Sequence, residues 1–105
     1  MDEVLTFRVA TRQDLPRLLD LYARALDGKA LPVSKAEKLF ERIQRYPDYR
    51  LYLAEYDGRL AGTFALLIMD NLGECGTPSG IVEDVVVEPQ YQRQGVGRAM
   101  MEHAL

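Results

Sequence analysis

The fold of this chain is decided by the stretch 85–99, which reads VVVEPQYQRQGVGRA. Three valines form the end of a predicted strand, Pro89 closes it, and Gly95 and Gly97 precede or open a helix predicted over Val96–Leu105. The first backbone N–H groups of a helix have no intrahelical partner, and the helix dipole favours negative charge there. The stretch therefore predicts a strand, a glycine loop and a helix that together bind an anion.

Three known phosphate-binding loops have glycines in such a place. A P-loop needs Gly-Lys followed by Ser or Thr, which this stretch does not contain. A dinucleotide-binding loop needs a third small residue, where this chain has Met100, and a parallel βαβ unit. The third pattern, Gln/Arg-x-x-Gly-x-Gly/Ala, is met by Gln92, Gly95 and Gly97.

A purely structural interpretation of the same residues stays open. Valine runs are usually core, and a Gly-x-Gly loop is often only a turn. Arg93 and Arg98 either add positive charge beside the loop or are ordinary solvated side chains.

Periodicity in the rest of the chain predicts an α/β protein with adjacent antiparallel strands. Asp57-Gly58 is a strong signal for a two-residue hairpin turn. The predicted strands are Val4–Ala10, Arg50–Tyr56, Arg59–Met69 and Ile81–Val87, and apolar stripes at helical spacing predict helices near 15–26 and 34–46 as well as at Val96–Leu105. The resulting order is β-α-α-β-β-β-α.

Local signals refine this layout. Gly28 is the expected end of the first helix, and Ser34 with Glu37 forms a capping box that opens the second. Gly62 marks a bulge or a close approach of two backbones. Val85–Val87 is apolar on both faces, which predicts a central strand covered on both sides.

Composition limits the function classes. The 105 residues are the size of one domain, and a net charge of -3 argues against nucleic acid as the main partner. No apolar run reaches the ~20 residues that span a bilayer, and the acidic start Met1-Asp2-Glu3 does not resemble a signal peptide. One cysteine and one histidine make a disulfide framework and a zinc site unexpected. We expect a cytoplasmic, metal-free protein that does not bind membranes.

In this context the loop resembles the pyrophosphate loop of the GNAT acyltransferases, the Gcn5-related N-acetyltransferase superfamily. The preceding strand continues into Glu-Pro-x-Tyr, and the following helix reads Gly-Arg-Ala-Met-Met. Arg8–Thr11 followed by Asp14–Pro16 also looks like the first strand and helix of that family. The resemblance implies a mixed, mainly antiparallel central sheet with helices on both faces. It also implies that residues 1–105 form a single domain that is incomplete at its C-terminus.

The resemblance further implies that the chain is an N-acetyltransferase. Acetyl-CoA would be the co-substrate, and a primary amine of a small molecule or peptide would attack its thioester directly in a ternary complex. The pantetheine arm would pair with the strand end Val85, Val86 and Val87, and the pyrophosphate would lie on Gln92, Arg93, Gln94, Gly95, Val96, Gly97 and Arg98. The alternative is a CoA-binding or interaction module of this fold without catalytic activity. A homodimer, or a partner chain that completes the sheet, is also expected.

Two carboxylates are candidates for the general base. In many family members a carboxylate of this strand removes the proton of the amine, and here Glu83 and Asp84 occupy it. Because adjacent strand residues point to opposite faces, only one of the two is expected to face a cleft. The alternative is a solvated or ion-paired strand carboxylate. The segment Ile81–Val87 is similar to the same strand of glucosamine-phosphate acetyltransferases, but it also occurs in other branches and leaves the acceptor open.

Other polar residues receive structural interpretations. Tyr91 and His103 are expected to pack or to lie at the surface, and Cys75 has no histidine nearby in sequence that would activate it. The basic residues of the second helix either border a pocket for an anionic acceptor or form a solvated face, and the solvated face is favoured; they are Lys35, Lys38, Arg42 and Arg45.

Overall fold

The computed structural model describes residues 4–26 and 31–104. The expected helix end at Gly28 and the terminal Leu105 lie outside the described residues. Short 3₁₀ turns cover Arg12–Asp14, Glu74–Gly76 and Pro89–Tyr91. The strands and helices, in chain order, are β1 (Leu5–Val9), α1 (Leu15–Ala25), α2 (Val33–Gln44), β2 (Tyr49–Tyr56), β3 (Arg59–Met69), β4 (Ser79–Val87) and α3 (Val96–Ala104).

The described strands form one antiparallel sheet in the order β1-β2-β3-β4, so the predicted antiparallel pairing of adjacent strands is confirmed. Asp57 and Gly58 connect β2 to β3 with φ values of 50° and 82°. Two positive φ values in succession match the right-handed twist of the flanking strands, which is why Asp-Gly favours this hairpin. Helices lie on both faces of the sheet, so the predicted fold class is confirmed.

One face of the sheet is covered by α3. Val96 and Met100 of that helix are buried against the small residues Ala54 and Ala61 and against Phe64. Alternate residues of each strand point to this face, because side chains of a strand alternate between its two sides. We call this side the α3 face.

Gly62 allows the α3 face to close. A Cβ atom at this position would lie 2.9 Å from the backbone oxygen of Val86 and 3.0 Å from the sulfur of Met100. A register shift between Ala54 and Glu55 of β2 lies beside it. The predicted close approach of two backbones is therefore confirmed.

The opposite side, which we call the α1/α2 face, combines an apolar cluster with an ion cluster. The apolar cluster contains Ala10, Leu15, Leu18, Phe40 and Leu53. In the ion cluster, Arg8 donates two hydrogen bonds of 2.7 and 2.8 Å to Asp14, and Arg17 bridges Asp14 and Glu55 at 2.9 and 2.8 Å. Both carboxylates are buried, so these bonds supply the partners that buried charges require.

The predicted capping box of α2 is wrong. The helix begins at Val33 with Pro32 as its N-cap, and no side chain caps it. The N–H groups of Lys35 and Ala36 donate to the Pro32 carbonyl instead, so Ser34 already lies inside the helix. Glu37, the expected second partner, forms a salt bridge with Arg12.

Strand β4 lies at the edge of the described sheet, with β3 as its neighbour. The central position that the apolar run predicts stays a prediction, since the described residues supply one neighbour for this strand. Val86 is buried and Val87 is half-buried, but Val85 is 44% exposed.

Candidate active site

A β-bulge interrupts β4 at the two candidate carboxylates. Val86 pairs with Thr63 and Glu83 pairs with Ala65, so Asp84 and Val85 together stand opposite a single residue of β3. Asp84 adopts a φ of 52°, a left-handed conformation that aspartate tolerates better than most residues. The strand therefore leaves the strict alternation on which the sequence prediction of a single cleft-facing carboxylate rested.

Asp84 and Val86 line a cavity of about 400 Å³ between α1, α2 and the sheet. Among the described residues that line this cavity, Asp84 alone carries a charge. The other lining residues are Leu15, Leu18, Leu19, Tyr22, Leu26, Leu31, Ala36, Leu39, Phe40, Ile43 and Leu51. The cavity is thus an apolar chamber with one carboxylate.

Burial and the charge of Asp84 raise the pKa values of two nearby tyrosines. Burial raises the pKa of Tyr22, the negative charge of Asp84 raises it further, and a hydrogen bond with Thr63 only partly opposes these effects. Burial also raises the pKa of Tyr49, as do the charges of Asp84 and Glu83. Both phenols therefore keep their protons near neutral pH and are able to donate hydrogen bonds.

The connection from β4 to α3 is held by Glu88, a buried residue. Its backbone N–H donates to Ala61 at 2.8 Å, and its side chain accepts a 2.7 Å hydrogen bond from the N–H of Gln90. Arg24 of α1 forms a salt bridge with the same carboxylate. These contacts fix the end of β4 and the start of the glycine loop to β3 and α1.

The loop presents bare backbone at the beginning of α3. Gly95 has a φ of 85°, and no atom lies within 4 Å of the position a Cβ would take. At Gly97 the nearest atom to such a Cβ is a methyl carbon of Val87, at 3.7 Å. Val96, between the two glycines, is buried and fixes the loop to the core. Arg93 also adopts a positive φ, of 67°.

The polar side chains of the loop bind the chain itself. Gln92 donates to the Val87 carbonyl and Gln94 to the Gln90 carbonyl, both at 3.2 Å. Arg98 is exposed and pairs with Glu102, one turn further along α3, at 3.2 Å. The open groups of this loop are therefore mainly backbone groups.

A family model described as "Acetyltransferase (GNAT) family" matches residues 15–105. The chain belongs to this family. A solved structure from Agrobacterium tumefaciens str. C58 superimposes with a TM-score of 0.85 at 30% identity, over 94% of this chain and 69% of that one.

Two further GNAT relatives are named for one reaction. The glucosamine 6-phosphate N-acetyltransferase of Trypanosoma brucei brucei is 26% identical over 98 residues, which is 92% of this chain and 67% of that protein. The solved glucosamine-6-phosphate N-acetyltransferase of Arabidopsis thaliana has a TM-score of 0.79 at 21% identity, with 97% of this chain and 72% of that one covered. At that identity the second likeness shows the fold alone.

The remaining polar residues that the sequence singled out lie outside the cavity and the glycine loop. His103 stacks on Phe7 with ring centroids 4.2 Å apart, and Tyr91 is buried 5.2 Å from Tyr56, so both pack as expected. Cys75 is exposed. The basic residues Lys35, Lys38, Arg42 and Arg45 are exposed, and none of them lines the cavity described above.

Within residues 4–26 and 31–104, no group of histidine, cysteine or carboxylate side chains is arranged to hold a metal ion. Over the same residues, no helix is both long and apolar enough to cross a bilayer.

Sequence reasoning missed several residues that shape the site. Tyr22 was assigned only to an apolar stripe, since its spacing matches that of leucines around it. The pair Arg24 and Glu88 gave no signal because the two residues are 64 positions apart. Pro89 did give a usable signal, because proline is over-represented at the first position of a helical turn, which makes Glu88 the residue before that turn.

Proposed function

We propose that this chain is an N-acetyltransferase that moves the acetyl group of acetyl-CoA to a primary amine by direct attack in a ternary complex. The observation that carries the proposal is the continuity of residues 83–98. This one stretch joins two carboxylates, a bulged strand edge and the bare glycine backbone at the start of α3. GNAT acetyltransferases use acetyl-CoA, a ligand with a thioester at one end and a pyrophosphate in its middle. We therefore assign this stretch as the acetyl-CoA site.

The residues of this stretch fit such a ligand. The edge of β4 at Val85–Val87 supports the proposal because an extended pantetheine arm is able to add to it as another strand would. The pyrophosphate would then meet the N–H groups between Gln92 and Arg98, where Gly95 leaves open space and Gly97 makes only an ordinary contact. Because Gln92 and Gln94 bind backbone carbonyls, we assign the anion to backbone groups rather than to these side chains.

The chemistry requires a base near the end of this strand. In our proposal, Asp84 accepts the proton of the acceptor ammonium, and the freed nitrogen attacks the thioester carbonyl carbon. A C–N bond forms, the C–S bond breaks, and the thiolate of CoA takes up a proton from solvent or from the chain. Asp84 is preferred over Glu83 because Asp84 lines the cavity and Glu83 does not.

The proposal is tested by measuring CoA release across a panel of amines, with glucosamine 6-phosphate included because the trypanosomal relative is named for it. Asp84→Asn should lower kcat by about 10²-fold or more at neutral pH with an unchanged Kd for acetyl-CoA, and part of the activity should return at high pH. Glu83→Gln is the matched control and should retain most activity. Acetyl-CoA binding without CoA release from any amine would favour the non-catalytic module instead.

The acetyl-CoA site has a separate test. Gly97→Val should raise the Kd for acetyl-CoA at least tenfold because its side chain would cover backbone that the pyrophosphate has to approach, while the melting temperature changes little. Gly73→Ala, in the exposed connection between β3 and β4, is the control and should bind normally. Equal Kd values for the two variants would contradict the assigned loop.

A further inference from the structure

We infer that the acceptor amine has an apolar body, such as an arylalkyl or alkyl group, and that it binds in the cavity between α1, α2 and the sheet with its ammonium group on Asp84. The inference rests on the proposed function and adds the class of acceptor. It differs from what the name of the trypanosomal relative would imply, since glucosamine 6-phosphate carries a phosphate and several hydroxyl groups.

The lining of the cavity is almost entirely apolar. Leucine, isoleucine and aromatic side chains form nearly all of it, among them Leu18, Leu39, Phe40 and Ile43. Apolar walls stabilise a ligand in proportion to the apolar area that both remove from water. A sugar phosphate would lose hydrogen bonds to water there without replacement, which costs affinity.

The cavity also offers a negative charge to a ligand, from Asp84. Asp84 lines it, is exposed, and forms no salt bridge with any residue in 4–26 or 31–104. It is the one charged residue among the described residues of the lining, and its charge raises the pKa of Tyr22, another lining residue that burial also affects. A ligand cation complements the charge of Asp84, whereas a phosphate would be repelled.

The exposed basic residues of α2 do not change this balance. Ala36 and Phe40 are the buried residues of that helix, and both line the cavity, so this side of α2 faces the ligand space. The lysines and arginines of α2 are exposed and do not line the cavity. They are therefore not placed to bind a phosphate inside it.

Asp84 is also close in sequence to the proposed pantetheine site. Asp84 and Val86 belong to the same strand that is proposed to hold the pantetheine arm, so an ammonium on Asp84 lies beside the thioester end of that ligand. After the carboxylate takes one ammonium proton, the nitrogen lone pair is free to form the new C–N bond. The apolar body of the acceptor stays among the side chains of α1 and α2.

The test compares three probes with the unaltered chain by calorimetry, without acetyl-CoA: 2-phenylethylamine, 2-phenylethanol and glucosamine 6-phosphate. We expect 2-phenylethylamine to bind about fivefold more tightly than 2-phenylethanol, the difference that one partly exposed ion pair supplies, and glucosamine 6-phosphate to bind most weakly. Asp84→Asn should remove the preference for the amine over the alcohol. Because the first comparison uses only the unaltered chain, it does not depend on whether a variant folds.

Ile43→Lys supplies a second test by adding a cation to the cavity. It should weaken binding of 2-phenylethylamine at least tenfold and strengthen that of glucosamine 6-phosphate. Gln44→Lys adds the same charge at the neighbouring exposed position, which does not line the cavity, and should leave both affinities within twofold.

Tighter binding of glucosamine 6-phosphate than of 2-phenylethylamine would overturn the inference, as would no binding of 2-phenylethylamine. CoA release with polar amines alone would also overturn it but would leave the proposed function standing. Binding of 2-phenylethylamine without CoA release from any amine would remove the proposed function and keep the binding site.

Discussion

The two faces of the sheet are filled in different ways. On the α3 face, Phe64, Val96 and Met100 pack around small residues, and Gly62 permits contact closer than a side chain would allow. On the α1/α2 face, an ion cluster and a cavity of about 400 Å³ take the place of part of the apolar packing. A closed face holds β4 and the glycine loop rigidly, and an open face leaves room for a ligand. The following four predictions test this contrast.

Met100→Ala should cause the largest loss of stability. Met100 is fully buried on the closed face, so truncation leaves a cavity and should lower the free energy of unfolding by about 2–5 kcal/mol. Met101→Ala, at the adjacent exposed position, is the matched control and should change it by no more than about 0.5 kcal/mol. Urea titration of both variants measures the difference, and similar values would contradict the close packing of this face.

Gly62→Ala should lower the free energy of unfolding by about 1–3 kcal/mol, because the added methyl group forces Val86 and Met100 away from β3. Gly97→Ala, whose methyl group makes only an ordinary contact with Val87, should have no such cost. Thermal melts of the two variants compare them directly. If Gly62→Ala is as stable as the parent chain, the backbones do not approach as closely as described.

Acid should weaken the α1/α2 face through its ion cluster. The hydrogen bonds from Arg8 hold the pKa of Asp14 well below its usual range. Burial raises the pKa of Glu55, but the hydrogen bonds and positive charges of Arg17 and Arg8 together leave it lowered. Carboxylates with lowered pKa values stabilise the fold fully above about pH 4–5, near their unfolded pKa values, and lose this contribution as the pH falls further.

Asp14→Asn should remove part of that pH dependence. It should also lower stability at pH 7 by on the order of 1–2 kcal/mol, less than for a fully buried pair, because both arginines are partly exposed. Melting temperatures of the parent and variant between pH 2 and 7 provide the measurement. Parallel curves would show that the cluster does not govern acid stability.

Ser34→Ala should have the smallest effect, within about 0.5 kcal/mol, since Ser34 lies inside α2 and caps nothing. If Ser34 were the N-cap, the same change would cost about 0.5–2 kcal/mol. Chemical unfolding of the variant distinguishes the two positions of the helix start.

The sequence alone determined the elements whose signals are local. The hairpin at Asp57-Gly58, the strands on either side of it and the glycine loop before α3 follow from residue types within a few positions of each other. The family resemblance was carried mainly by the stretch 85–99, with support from the short segments 8–11 and 14–16, and the family model confirms it. Local backbone preferences and short-range periodicity suffice for such features, because both are set by neighbouring residues.

The tertiary structure decided the features that depend on distant partners. Arg8 and Glu55 are 47 residues apart, and no local pattern pairs them. The bulge at Asp84 arises from the register between β4 and β3, and it breaks the alternation that would place adjacent carboxylates on opposite faces. The start of α2 was also not decided by its local capping signal. The Pro32 carbonyl accepts the first hydrogen bonds of the helix, which places Ser34 inside it. The free energy that stabilises these long-range features comes from contacts between different strands and helices. Such contacts are not visible in the sequence of a single strand or helix.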